Sequence, residues 1–289
     1  MGAMDSPTLE TAPAPERPFP EEVGVAFESV SSEKHPERNE DVVLSDREHG
    51  VFGVFDGVSS PAGGETAARL ASAVVGEGLK GEPTPSSVET ALLQANKAVF
   101  EKAQEDPGLK GMGTTASVVK VWQTPEGERK AYLGNVGDSR IYLYRGRELR
   151  PLMLDDNLFL ALANKSPEET FKLQAALDRI SSEADARRLG FTDRKHYYRQ
   201  TSVITQALGS ERGQIKPHTL TIDLQPGDRL LLTSDGIHDN LTTAEMLGIL
   251  SASPSAEALL RAAQARSRQE EHIRHKKDDM SVVLIEIPS

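Results

Sequence analysis

The chain contains 289 residues, with 33 Lys and Arg against 44 Asp and Glu, so its formal net charge is −11. Hydrophobic residues make up 37% and charged residues 27%, which is the balance of an ordinary globular protein with enough apolar chain for a sizeable core. The acidity argues against non-specific nucleic-acid binding, and the absence of cysteine excludes disulfides, thiolate nucleophiles and cysteine-ligated zinc.

The N-terminal segment shows no folding pattern. It is rich in proline, and its start, Met1-Gly2-Ala3-Met4, resembles a cloning remnant. We therefore expect a disordered leader over 1–22 and one folded domain over 23–289. No apolar run approaches the ~18 residues of a membrane-spanning helix, and no secretion signal is evident, so the cytoplasm is the default location.

The first half of the domain predicts strands followed by helices. The segment Val23–Val30 alternates loosely and predicts a first strand. Val42–Leu44 and Val51–Phe55 are apolar and flank a polar turn, which is typical of a hairpin. Glu65–Val75 is rich in Ala and Leu, and Ser86–Gln104 has apolar residues at three- and four-residue spacing, so both predict helices.

Beyond these helices apolar residues recur at every second position. This pattern predicts short strands separated by glycine-containing turns. These strands are Thr114–Trp122, Ala131–Val136, Ile141–Tyr144, Leu149–Leu152, Thr219–Leu224 and Arg229–Thr233. Two further helices, Thr243–Leu250 and Ala256–Arg268, precede a last strand, Ser281–Ile287. Strands in groups with helix pairs between them predict an α+β fold with antiparallel sheets. The polar segment at about 153–200 is an exception, and we expect an insertion or lid with helices near Pro167–Leu177 and Glu183–Leu189.

Several carboxylates share one context, because each lies where an apolar strand meets a loop: Glu40, Asp41, Asp56, Asp138, Asp235, Asp278 and Asp279. Each alone has an ordinary explanation, and a single Asp-Gly pair is most often a turn. Together they are harder to dismiss, since burying a carboxylate is costly unless it is paired or binds a cation. Oxygen ligands favour magnesium or manganese, and two such ions could activate a water and hold a phosphoryl group.

Six motifs in chain order resemble the metal-dependent protein phosphatases of the PPM family (type 2C). They are Asn39-Glu40-Asp41, Val54-Phe55-Asp56-Gly57, Gly113-Thr114-Thr115-Ala116, Asn135-Val136-Gly137-Asp138-Ser139-Arg140, Thr233-Ser234-Asp235-Gly236-Ile237-His238-Asp239 and Asp278-Asp279-Met280-Ser281. The resemblance covers residues 23 to 288. It implies a central β-sandwich of two antiparallel sheets flanked by helix pairs (α-β-β-α), with the segment 153–200 as a flap beside the active site.

The resemblance also implies a reaction and a set of ligands. A water bridging two Mn²⁺ or Mg²⁺ ions would attack phosphoserine or phosphothreonine without a phosphoenzyme. The metal contacts it implies are Glu40, Asp56, the Gly57 carbonyl, Asp235 and Asp278, with Asp138 and Asp239 for a weaker third ion and Asp41 holding metal-bound waters. The implied partners are a phosphorylated protein and an opposing Ser/Thr kinase; neither nucleic acid nor membrane is expected.

Three positions depart from the family pattern. Val58 stands where animal members have a proposed acid histidine, which favours a bacterial-type enzyme in which a metal-bound water could serve instead. Pro36 replaces the usual phosphate-binding arginine. We expect Arg38 to take this role, with Lys34 second, because positions 36 and 38 share parity in an extended chain; the alternative is an exposed Arg38 charge beside Glu37. Asp279 replaces an asparagine and adds negative charge.

Other side chains have ordinary explanations beside functional ones. Flap aromatics could contact substrate, but packing within the flap is the favoured explanation: Phe159, Phe171, Tyr197 and Tyr198. His238 is expected as a polar neighbour of the metals. A basic patch is expected to be a solvated helix face: Arg261, Arg266, Arg268, Arg274, Lys276 and Lys277.

Three functions follow from these observations. A metal-dependent phosphoserine/phosphothreonine phosphatase leads. A catalytically silent regulatory module of the same family is the alternative, motivated by Val58 and the shifted arginine. A two-metal nuclease or phosphodiesterase is weaker, because an acidic surface repels a polyanion.

Overall fold

The structure, a computed structural model, describes residues 22–58, 63–209 and 214–288. The expected leader at 1–22 therefore lies outside the described residues, apart from Glu22. Along the described residues the strands are β1 Gly24–Val30, β2 Asp41–Asp46, β3 Val51–Val58, β4 Gly113–Thr114, β5 Ala116–Gln123, β6 Arg129–Val136, β7 Arg140–Arg145, β8 Glu148–Pro151, β9 His218–Asp223, β10 Arg229–Thr233 and β11 Met280–Glu286. The helices are α1 Gly64–Gly78, α2 Ser87–Glu105, α3 Leu158–Ala163, α4 Pro167–Leu177, α5 Glu183–Arg188, α6 Arg194–Thr201, α7 Asp235–His238, α8 Thr243–Ala252 and α9 Ala256–Ser267.

The strands form two antiparallel sheets. Sheet A has the order β1-β11-β10-β7-β8, and sheet B has the order β2-β3-β5-β6-β9, with β4 paired to the end of β3. The register places Asp41 of β2 opposite Asp56 of β3. In sheet A, β11 lies between the first strand and β10, so Glu286 pairs with both Gly24 and Arg229.

Three apolar layers hold the sandwich together. Residues such as Val54, Leu133, Leu232 and Val283 fill the space between the two sheets. The outer face of sheet B packs against α1 and α2, and the outer face of sheet A packs against α8 and α9. This arrangement confirms the predicted α-β-β-α sandwich, because each sheet buries one face on its partner sheet and the other on a helix pair.

The segment predicted as a flap forms α3 to α6 around a small apolar core of its own. Tyr197 is buried in that core, and Phe159 and Tyr198 pack against it, whereas Phe171 is 39% exposed. Three of the four aromatic residues thus pack within the flap, as the favoured explanation predicted. Arg274 ties the flap to the domain, since it donates to the carbonyls of Leu177 and Ile180 in the flap and of His238 outside it.

Two predicted boundaries were wrong for local reasons. The strand predicted at Thr114–Trp122 is divided between β4 and β5. The division falls at Thr115, whose N–H donates to the Asp56 carbonyl at 2.8 Å. The helix predicted at Glu65–Val75 continues through Gly76 and Gly78, which form the last turn of α1. Along the described ranges, no helix is both long and apolar enough to cross a membrane.

Candidate metal centre

The predicted acidic residues meet at one end of the sandwich, and both sheets contribute to the cluster. Asp41 and Asp56 face each other across β2 and β3 of sheet B. Asp235 follows β10 and Asp278 precedes β11 in sheet A. A hydrogen bond joins the two sheets here, because the Ser234 hydroxyl donates to Asp41 Oδ2 at 2.7 Å.

The acidic cluster carries more negative charge than the basic side chains beside it can balance. Burial raises the pKa of the Asp41, Asp56 and Asp138 carboxyls well above their ordinary range. Neighbouring carboxylates raise the pKa of Asp56 further, with Asp41 and Asp235 contributing most. Burial also raises the pKa of Asp235 to about 7, although the Lys276 ammonium opposes that rise. Carboxyls with raised pKa values at one site favour a bound cation.

Among the described residues, Lys276 brings a positive charge into this cluster. Its Nζ contacts Asp235, lies 3.1 Å from Asp239 Oδ2 and lies 3.3 Å from Asp278 Oδ2. The predicted solvated basic patch is therefore wrong at two positions. Lys276 points into the acidic cluster, and Arg274 is buried with only 2% of its surface exposed.

Arg38 and Glu40 approach each other beside the cluster. Arg38 Nε lies 3.6 Å from Glu40 Oε1, and the Glu40 side chain is only 15% exposed. The chain before Glu40 is not extended, because His35 N–H donates to the Ser32 carbonyl and Arg38 N–H donates to the His35 carbonyl. The parity argument that favoured Arg38 was therefore wrong. Arg38 nevertheless lies beside the acids, whereas the Lys34 side chain is exposed.

Asp279 holds the backbone of the turns at residues 32–40 through hydrogen bonds. Its Oδ1 accepts from the Ser32 N–H at 2.6 Å, and its Oδ2 accepts from the Glu40 N–H at 2.7 Å. His35 Nδ1 lies 3.6 Å from Asp279 Oδ1. Both carboxylate oxygens of Asp279 thus hold the backbone that carries Arg38 and Glu40, a role that sequence reasoning missed.

Two glycines allow close backbone contacts at the site. A Cβ on Gly57 would lie 2.4 Å from the Gly64 carbonyl carbon, so only glycine lets the start of α1 pack on β3. A Cβ on Gly236 would lie 1.9 Å from the Asp279 carbonyl oxygen. These contacts bring α1 and α7 against the ends of the strands that carry the acids.

Asp138 and Asp239 lie on the flap side of the cluster. The pKa of Asp138 is raised by its burial and then by Asp235, while Lys276 opposes the rise. His238, the residue before Asp239, is buried, and its Nδ1 lies 2.8 Å from Thr233 Oγ1. The role predicted for His238, a polar neighbour of the metals, stays a prediction. Burial lowers the pKa of the His238 imidazole well below its ordinary value.

Several buried carboxylate oxygens have no hydrogen-bond partner among the described residues. They are Glu40 Oε1, Asp41 Oδ1 and Asp235 Oδ1. Unpartnered carboxylate oxygens in a site of excess negative charge are the donors that a hard divalent cation requires, so the residues fit Mn²⁺ or Mg²⁺. Across ranges 22–58, 63–209 and 214–288, however, no group of three or more Asp, Glu or His side chains is already arranged to hold an ion.

A protein-family model matches most of the chain. Residues 31–276 match the family model described as protein phosphatase 2C. The chain belongs to this family. The resemblance predicted from the six motifs is thereby confirmed.

Curated relatives support the same family. The serine/threonine protein phosphatase PstP of Mycobacterium tuberculosis is 29% identical over 226 residues, which cover 76% of this chain and 37% of the relative. The serine/threonine phosphatase stp of Listeria innocua is 27% identical over 75% of this chain and 77% of its own length. This chain thus spans little more than a third of the PstP relative.

Solved structures share the fold. The M. tuberculosis PstP/Ppp structure has a TM-score of 0.69 at 24% identity, covering 92% of this chain and 99% of that one. A structure of the PstP catalytic domain that contains two manganese ions has a TM-score of 0.67 at 23% identity, covering 92% of this chain and 99% of that one. These likenesses support the fold.

Proposed function

We propose that this protein is a metal-dependent phosphoserine/phosphothreonine protein phosphatase of bacterial type. The observation that carries the proposal is the meeting of acids from both sheets at one end of a protein phosphatase 2C fold. The proposed substrate is a phosphorylated protein, opposed by a Ser/Thr kinase in the cytoplasm.

The metal ligands that we propose are the acids already described. Asp56 would contact both ions, and Asp235 and Asp278 would hold the first. Glu40 would contact the second ion through water, and the Gly57 carbonyl would be a further ligand. Asp138 and Asp239 would hold a weaker third ion. Bound Mn²⁺ or Mg²⁺ would supply Lewis acidity to a phosphoryl oxygen and would lower the pKa of a water.

Other residues of the chain bind and orient the substrate. Arg38 is placed beside Glu40 to bind phosphate oxygens, since a guanidinium donates two parallel hydrogen bonds to such a group. Asp41 is held through Oδ2 by Ser234, so its Oδ1 can accept a hydrogen bond from the attacking water. Val58 cannot protonate a leaving alkoxide, so that proton must come from another source, such as a metal-bound water.

The first experiment measures hydrolysis of a phosphothreonine peptide with Mn²⁺ added and then chelated. We expect phosphate release that requires the metal and disappears with the chelator. The Asp56→Asn variant keeps the shape of the side chain but loses its charge, and we expect it to lose turnover while it remains folded by circular dichroism. Full activity in that variant would contradict the metal assignment.

The alternative is a silent regulatory module of the same family, and Val58 is the observation that favours it. Under that alternative, the protein binds Mn²⁺ in calorimetry but releases no phosphate from any phosphopeptide. Measured on one sample, binding and turnover therefore distinguish the two functions.

A further inference from the structure

Lys276 occupies the place between the acids where a cation is needed. Its ammonium contacts Asp235 and lies within 3.1 Å of Asp239 Oδ2 and 3.3 Å of Asp278 Oδ2. Two of these acids, Asp235 and Asp278, are proposed ligands of the first metal ion, and Asp239 is proposed for the third. The lysine side chain is only 13% exposed, so water screens these contacts weakly.

The backbone of Lys276 is anchored beside the cluster, so the ammonium stays tethered near the acids on its flexible side chain. The Lys276 N–H donates to Asn240 Oδ1 at 3.0 Å, and its carbonyl accepts from Asn240 Nδ2 at 2.9 Å. Asn240 is itself buried, and it donates to the Gly236 carbonyl in α7 at 2.8 Å. The neighbouring Lys277 differs, because it pairs with the exposed Glu270 at the surface.

We propose that the Lys276 ammonium is a tethered competitor of the first divalent ion. It pairs with Asp235 and Asp278 when the ion is absent, and it must withdraw from them before the ion binds. This inference rests on the metal site of the proposed function. The physical reason is that a lysine ammonium and a divalent cation repel each other when both lie against the same two carboxylates.

Two consequences follow from this competition. The protein stays folded without metal, because the acids have a counter-charge within the chain. Its affinity for metal is correspondingly lower than the acids alone would give, so the enzyme is active only above a threshold concentration of the ion. The chain would thus sense the available Mn²⁺ or Mg²⁺ through one lysine.

The test is Mn²⁺ calorimetry on four proteins: wild type, Lys276→Met, Lys276→Arg and the matched control Lys277→Met. We expect Lys276→Met to lower the Kd of the first ion by about tenfold or more, the range of typical coupling free energies between two sites. Lys276→Arg keeps the charge and should keep the weak affinity, and Lys277→Met should bind as wild type does. Unchanged or weaker binding in Lys276→Met would overturn the proposal.

Thermal unfolding provides a second readout if Lys276→Met folds poorly without metal. We expect its metal-free Tm to fall below that of wild type, because three carboxylates lose their counter-charge, and its Tm to rise more steeply with added Mn²⁺. Parallel Mn²⁺ dependence in the two proteins would also overturn the proposal. Neither measurement uses turnover, so a protein that binds Mn²⁺ in this way without hydrolysing phosphopeptide would contradict only the proposed function.

Discussion

Two consecutive backbone turns bring Arg38 to the acidic cluster. Asp279 holds these turns, because its carboxylate accepts hydrogen bonds from the N–H groups of Ser32 and Glu40. Its Nε is buried and has no hydrogen-bond partner among the described residues, although Glu40 Oε1 lies 3.6 Å away. The Arg38 guanidinium thus has a free N–H beside the proposed metal ligands, and this N–H can donate a hydrogen bond to a phosphate oxygen. Lys34 lies in the same turn, but its side chain is exposed.

We predict that Arg38→Ala lowers kcat/KM for a phosphopeptide by about 10- to 100-fold, the loss expected for a charge-assisted hydrogen bond. Lys34→Ala removes a positive charge from the same turn and should change kcat/KM by less than about threefold. Steady-state kinetics on both variants at saturating Mn²⁺ measures the difference. Equal losses would mean that the turn acts only through its overall charge.

The carboxylate positions could be predicted from the sequence because burial at a strand end leaves few roles for an acid. Lys276 could not be placed in the same way, since a lysine between a histidine and another lysine is usually a solvated residue. One signal was available in the sequence. Lys276 and Asp278 are two residues apart, so an extended chain places both side chains on the same face. Asp279 was misjudged because its partners, Ser32 and Glu40, lie more than 200 residues earlier in the chain.

Most elements of the sandwich begin and end within two residues of their predicted bounds. The strand Arg229–Thr233 and the flap helix Pro167–Leu177 match at both ends. Both depend on local signals: a continuous apolar run in β10, and a Ser166 capping box with Pro167 in the first turn of α4. The helices α3 and α6 were missed because each is short and stabilised by contacts within the flap. The single turn α7 was missed because it depends on the close approach of Gly236 to Asp279, and these two residues are far apart in the sequence.

We predict that Gly236→Ala lowers the free energy of unfolding by about 1–3 kcal/mol or more, since the new Cβ would overlap the Asp279 carbonyl and force α7 away from β11. Gly248 in α8 is the matched control, because it is exposed and no atom lies within 4 Å of its added Cβ. Gly248→Ala should raise the free energy of unfolding by about 0.5–1 kcal/mol. Urea unfolding measures both, and equal effects would contradict the proposed contact.

At the scale of the whole molecule, the flap is joined to the sandwich at both of its ends. Asp156 precedes the flap helices and Gln206 follows them, and Gln206 Nε2 donates to Asp156 Oδ1 at 2.8 Å. His218 at the start of β9 reaches the same oxygen at 3.0 Å. The other Asp156 oxygen accepts from the Gly137 N–H, one residue before Asp138. One carboxylate thus links the flap, sheet B and the loop that carries a proposed metal ligand.

This link predicts a pH dependence. The hydrogen bond to Asp156 raises the pKa of His218 above its ordinary value of 6.5. A histidine with a raised folded-state pKa contributes stability that is fully present below about pH 6.5 and is lost as pH rises through the raised value. The Tm of wild type should therefore fall relative to that of His218→Gln as the pH rises from about 6 to 8. Parallel Tm profiles for the two proteins would show that the pair contributes nothing.

The position of β11 has a consequence for the synthesis of the protein. This strand separates β1 from β10, and the hydroxyls of Ser29 and Ser281 meet across 252 residues of chain. During translation, at about 5–20 residues per second, β1 has no partner in sheet A until residues 280–286 leave the ribosome. Asp278 emerges immediately before them. A nascent chain that has not yet exposed β11 therefore lacks both the partner strand of β1 and one carboxylate of the acidic cluster.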